Sequence, residues 1–88
     1  MAIRQKRVFS KVLDCLPGDE LLIKENYGQL VLCNFCIFNI GENDIKIKIN
    51  NSDEEILLEP NEGFDMGEYE TFSCVAVTSG MVKFSGIY

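Results

Sequence analysis

Ile45-Lys46-Ile47-Lys48-Ile49 alternates without a break, with three isoleucines on one side and two lysines on the other. A period of two places alternate side chains on opposite faces of an extended chain, so this stretch predicts a β-strand with one face buried and one wet. Isoleucine is β-branched and suits a pleated, half-buried surface. Asn50-Asn51-Ser52-Asp53-Glu54 follows as a turn, and Ile56-Leu57-Leu58 returns as a second apolar run, so the segment predicts a β-hairpin.

The same punctuation recurs along the chain. Pro17-Gly18-Asp19-Glu20, Asn26-Tyr27-Gly28, Gly41-Glu42-Asn43-Asp44, Pro60-Asn61-Glu62-Gly63 and Ser79-Gly80 are all built from residues that turns favour. They leave strands of about five to eight residues, the spacing of a sandwich or small barrel. Phe72 to Thr78 and Met81 to Phe84 read as a second hairpin around Ser79-Gly80. Leu30 to Asn39 is apolar on both faces, which fits a central strand covered on both sides or one bent by a bulge. Leu16-Pro17-Gly18-Asp19-Glu20-Leu21 resembles Glu59-Pro60-Asn61-Glu62-Gly63-Phe64, either as a duplication or as one turn used twice. The expected fold is all-β: a small antiparallel β-sandwich or partly closed barrel of about six to eight short strands, with an extended basic N-terminal arm.

Length sets the next constraint. In 88 residues there is room for one core. Ordering costs about 1.5 kcal/mol per residue and nearly cancels apolar burial in so small a domain, so a disulfide, a metal or a neighbouring subunit is expected to help. Cys15, Cys33, Cys36 and Cys74 are expected to be structural thiols rather than bridges. Met1 to Arg7 lacks the apolar stretch of a secretory leader, and a chain kept in a reducing cytoplasm holds its thiols reduced. Cys33-Asn34-Phe35-Cys36 has the C-x-x-C spacing, but within a regular strand the two sulfurs would diverge to opposite faces. No run is long enough to span a membrane as a helix. Association with other subunits is the remaining source of stability.

Charge is segregated. Arg4, Lys6, Arg7 and Lys11 supply half of the eight cations, and all fourteen acids lie beyond them. The expected organisation is a basic arm over residues 1–11 and a single β domain over 12–88. The chain carries a net charge of −6, and its body, with fourteen acids against four lysines, lacks the basic face of a nucleic-acid-binding domain. The chain has no histidine, which removes the Ser-His and Cys-His pairings of common nucleophilic catalysis. No phosphate-loop glycine pattern is present, the paired acids Asp53-Glu54-Glu55 and Asp65 with Glu68 sit in turn-like segments, and no calcium-loop pattern forms. Most of the six phenylalanines and three tyrosines are expected in the core. The expectation is therefore a non-enzymatic protein with no cofactor, no metal and no catalytic residue.

One resemblance adds to this. Phe38-Asn39-Ile40-Gly41, the strand Ile45 to Ile49 with Asn50, and Ile56-Leu57-Leu58-Glu59-Pro60-Asn61-Glu62-Gly63-Phe64 resemble the pattern of small β-structured virion proteins of tailed bacteriophages. Such proteins decorate capsids, form head fibres or sit at head–tail junctions. The family's usual glycine after the proline is Asn61 here, which would shift the turn type. The resemblance implies a structural virion component made in the host cytoplasm, whose partners are further copies of itself and a larger capsid or tail protein, with no direct contact to nucleic acid or membrane. Arg4, Lys6, Arg7 and Lys11 are the expected partner-binding residues, docking on an acidic surface of a neighbour. Two other classes fit the composition: a small acidic intracellular inhibitor or nucleic-acid mimic, and a carbohydrate- or peptide-binding β-module.

Overall fold

The computed structural model describes residues 7–24 and 28–88. They form nine strands and no helix: β1 (Val8–Cys15), β2 (Ile23–Lys24), β3 (Gly28–Gln29), β4 (Cys33–Asn39), β5 (Ile45–Ile49), β6 (Ile56–Leu58), β7 (Gly63–Asp65), β8 (Cys74–Ala76) and β9 (Gly80–Ile87). One antiparallel sheet has the order β1-β9-β4-β7, a second has the order β6-β5-β8, and β2 pairs with β3. The all-β class and the two-layer antiparallel architecture expected from the sequence are what the chain adopts. The layers do not close into a barrel. Two isolated bridges, Leu32 with Thr71 and Glu20 with Val75 of β8, tie in segments between the strands, and β1 ends the larger sheet.

The deciding strand is β5. Ile45, Ile47 and Ile49 are buried and Lys46 is exposed. Ile45 faces Leu58 and Ile47 faces Ile56 in the hairpin with β6. Its turn places Asn50 and Asn51 at φ of 53° and 58°, and the Ser52 N–H donates to the Ile49 carbonyl at 3.0 Å. Two consecutive left-handed residues define a type I′ turn, which asparagine tolerates better than most residues. Phe35, Ile37, Val82 and Phe84 come down from the larger sheet onto the isoleucines. The Phe84 ring lies 6.0 Å from Phe35 and 5.8 Å from Phe9, both tilted, a spacing at which aromatic pairs attract.

The two Pro-containing turns prove to be one device used twice. The Asp19 N–H donates to the Leu16 carbonyl at 3.1 Å, and the Glu62 N–H to the Glu59 carbonyl at 2.9 Å. The Asp19 carboxylate accepts the Leu16 N–H at 2.9 Å, and the Glu62 carboxylate accepts the Glu59 N–H at 2.8 Å. Gly18 and Asn61 occupy the third position at φ of 91° and 69°. Proline second and a left-handed residue third is the type II arrangement. Asn61 therefore stands in for the glycine and keeps the turn type, where the sequence suggested a shift.

Two expectations change. The segments around Ser79-Gly80 are not a hairpin: β8 pairs with β5 in one sheet, and β9 pairs with β1 and β4 in the other. The chain crosses between layers there, and a Cβ at Gly80 would lie 3.3 Å from the Ile45 side chain, which leaves little room for anything larger. The supposed arm is also shorter than residues 1–11, because Val8 to Lys11 are paired residues of β1. Within residues 1–11, residues 1–6 lie outside the described part, as do Asn26 and Tyr27 of one expected turn.

Candidate functional site

β1 runs antiparallel to β9 over its whole length, from Val8 opposite Ile87 to Cys15 opposite Gly80. Arg7 and Tyr88 exchange both backbone hydrogen bonds, at 3.3 and 2.9 Å. Hydrogen-bonded and non-bonded pairs alternate in an antiparallel ladder. Phe9, Lys11, Leu13 and Cys15 therefore bond to β9, while the N–H and C=O groups of Val8, Ser10, Val12 and Asp14 point away from it. The free edge has no backbone partner among the described residues.

Side chains follow the same alternation. Lys11 stands opposite buried Phe84 and Leu13 opposite buried Val82, so both belong to the inner face. Because no described residue pairs beyond β1, this face opens into a concavity of about 530 Å³ lined by Lys11, Leu13, Asp19, Glu20, Leu21 and Ile23. Its two acids are already engaged. Asp19 closes the Pro17 turn. Glu20 accepts the Cys74 N–H at 2.8 Å, the Leu22 N–H at 3.2 Å, the Gln29 amide at 3.3 Å and the Ser73 hydroxyl. Lys11 is exposed and has no ion pair among the described residues, where the one pair is Lys46 with Glu55 at 4.0 Å.

The outer face of the larger sheet is the second surface. Register places Val12, Lys83 and Phe38 in one row across β1, β9 and β4, and Asp14, Met81 and Ile40 in the next. Val8 is 72% exposed, Val12 56%, Phe38 47% and Met81 41%. Single exposed apolar residues are ordinary, but here Val12, Phe38, Met81 and Ile40 fall in two neighbouring rows across three strands, a grouping that marks an interaction surface. Tyr69, Phe72 and Phe38 also stand out of the core that the sequence assigned to most aromatics.

The cysteines divide by sheet geometry. Cys33 is opposite Ile87 and Cys36 opposite Ser85, with the register shifting between them. Ile87 and Ser85 are two apart and share a face, so both cysteines share the outer face. The expectation that they diverge fails because Asn34, at φ of 53°, opens a β-bulge that adds one residue. The Cys36 thiol leans back to the Asn34 carbonyl at 3.9 Å. No group of three or more metal-ligating side chains occurs among the described residues. All four cysteines are free thiols.

Cys15 and Cys74 are wholly buried. Burial pushes the Cys15 thiol up, and it donates to the Gly80 carbonyl at 3.1 Å. Burial, with the Glu20 charge behind it, pushes Cys74 up to about 12 from an ordinary 9.0. The thiolate is the reacting species. At pH 8 a disulfide reagent such as Ellman's should therefore titrate Cys33 and Cys36 in the folded protein and all four thiols in guanidinium. Four fast thiols in the folded protein would contradict the assignment. The unfolded Cys74 ionises above pH 9.0 while the folded one keeps its proton, so stability falls as pH rises from about 9 to 12.

Of the cations singled out in the sequence, Arg4 and Lys6 lie outside the described residues, Arg7 is an exposed residue just before β1, and Lys11 lies inside β1, facing the concavity. Val12, Lys83, Met81 and Phe38 were missed as surface residues, because a strand edge and a sheet face are defined by pairing rather than by composition.

The chain matches no protein-family model, and a search of curated proteins returns no match. It is similar in fold to the crystal structure of apo-HppE, with a TM-score of 0.51 and 16% identity over 90% of this chain. The chain spans 41% of that protein's length. At this identity the likeness is one of fold alone.

Proposed function

We propose that this chain is a non-enzymatic structural protein that assembles with copies of itself and with a larger protein, in the manner of a virion accessory component. The observation that carries the reading is the outer face of the larger sheet. Val12, Phe38, Ile40 and Met81 lie there in two neighbouring rows that also hold Lys83 and Asp14, and Val8 stands further along β1. A patch holding both signs can pair with itself about a two-fold axis, cation to carboxylate. Association also supplies stability that a core of this size lacks. The resemblance around Phe38 to Phe64 is what suggests a virion as the setting.

Native mass spectrometry under reducing conditions tests the assembly step. The parent protein is expected as a discrete oligomer. Val12→Glu and Met81→Glu place a carboxylate on the exposed face without touching the core, so both should yield folded monomers. A parent protein that stays monomeric at high subunit concentration would sink the reading.

A further inference from the structure

An eight-residue edge strand with unpaired backbone groups is a template for another strand, and proteins usually blunt such an edge or use it. On β1 three independent features coincide. The N–H and C=O groups of Val8, Ser10, Val12 and Asp14, without a backbone partner among the described residues, form one row along the edge. The inner face beside that row opens into the concavity lined by Lys11, Leu13, Leu21 and Ile23, with Asp19 and Glu20, whose carboxylates are bonded within their own segment and to β8, in its far wall. Lys11 stands at its mouth with no ion pair among the described residues.

The ladder fixes what a new strand would meet. Its residues opposite Val8, Ser10, Val12 and Asp14 would exchange hydrogen bonds. Its residues opposite Phe9, Lys11 and Leu13 would occupy non-bonded pairs, whose side chains lie closest, with Cα atoms about 4.5 Å apart. A second copy is a poor occupant. Antiparallel self-pairing centred on Lys11 sets it against the Lys11 of its twin in such a close pair, where like charges repel, and the equally long register centred on Val12 sets it against Leu13, which leaves the charge without a counter-ion. An apolar residue opposite Phe9 and Leu13 with a carboxylate opposite Lys11 fits the same position.

We propose that the free edge of β1 docks an extended segment of a partner protein, antiparallel, with an acidic residue opposite Lys11 and apolar residues on either side entering the concavity. This rests on the strand edge and its inner face, not on the outer face that carries the assembly reading, so either can fail without the other.

The test uses a labelled peptide of sequence Thr-Val-Thr-Glu-Thr-Val-Thr, capped at both ends, whose two valines and glutamate share one face of a strand. Fluorescence anisotropy with the full chain should show saturable binding that weakens with salt. Replacing the peptide's glutamate by lysine should weaken binding about tenfold, since attraction becomes repulsion in a close pair. Methylating the peptide's backbone nitrogens that face β1 should abolish binding. Lys11→Glu, its fold checked by circular dichroism, should reverse the preference between the two peptides. Hydrogen exchange should slow at the amides of Val8, Ser10, Val12 and Asp14 only when peptide is present. Absence of saturable binding, or binding indifferent to peptide charge and backbone methylation, overturns the proposal. So does protection of those amides by raised protein concentration alone, which would assign the edge to a second copy.

Discussion

Replacing Asn39 by alanine is expected to cost about 3–5 kcal/mol of folding stability, since three hydrogen-bonding partners lose their only side-chain counterpart at a buried site. Asn39 is fully buried on the inner face of β4. Its Oδ1 accepts the Gly41 N–H at 2.9 Å, and its Nδ2 donates to the carbonyls of Asn43 at 2.8 Å and Leu58 at 2.9 Å. One side chain thus fastens the turn after β4 and ties the larger sheet to the end of β6 in the smaller one. Its backbone bonds to Glu62 and Asn61 as well. A protein of this length holds about 4–13 kcal/mol in total, so the variant should sit close to unfolding at room temperature. Asn39→Asp should be no better at neutral pH. A carboxylate cannot donate to two carbonyls, and it buries a charge. Urea unfolding at 25 °C checks both variants, and a loss under about 1 kcal/mol for alanine would contradict the role.

That pair, Asn39 and Gly41, is also what the Phe38-Asn39-Ile40-Gly41 motif means physically. Asparagine supplies two donors and an acceptor, and a Cβ at Gly41 would lie 3.4 Å from the Met81 backbone nitrogen. The sequence displayed the motif but not its reason, because two of the three partners, the carbonyls of Asn43 and Leu58, lie four and nineteen residues away. The strand β5 was legible because its signal is local: alternation, β-branching and an Asn-Asn turn lie within one window. The crossing at Ser79-Gly80 was not, since Ser-Gly reads the same in a hairpin turn and in a step between layers. The shared face of Cys33 and Cys36 was hidden for a related reason. An added residue inverts every face beyond it, and the one local hint is Asn34, a residue type that tolerates the left-handed region.

The candidate site illustrates the same limit. Charge counting found Lys11 and grouped it with Arg4, Lys6 and Arg7 as an arm. Pairing places Lys11 within β1, as an inward-facing charge on an edge strand, opposite Phe84. An inward charge at an edge is also how sheets discourage joining edge to edge. The free edge and the concavity have no signature in composition, because they arise from what β1 fails to pair with.

Glu20 is the residue on which the far wall of that concavity depends. Glu20→Ala is expected to cost about 2–4 kcal/mol, as the backbone N–H of Cys74 and the hydroxyl of nearly buried Ser73 lose a charged acceptor. These bonds hold the Pro17–Leu22 segment on β8, together with the Leu21 N–H to Cys74 carbonyl bond at 2.8 Å. Glu20→Gln keeps the length and one carbonyl oxygen, which can still serve the Cys74 N–H. Its NH₂ group would face the donor of Gln29, so it should cost roughly 1 kcal/mol, less than alanine. The charge itself has a separate readout. Glu20 is the second cause of the raised Cys74 pKa, after burial. Glu20→Gln should therefore lower that pKa and make the alkaline loss of stability shallower, whereas a purely steric role for Glu20 would leave the slope unchanged. Unfolding curves at pH 7, 9 and 10.5 (about two-state for a domain of this size) separate the two effects. If Glu20→Ala unfolds with the midpoint of the parent at every pH, the segment is held by its backbone bridge to Val75 alone, and the wall opposite Lys11 does not need the carboxylate.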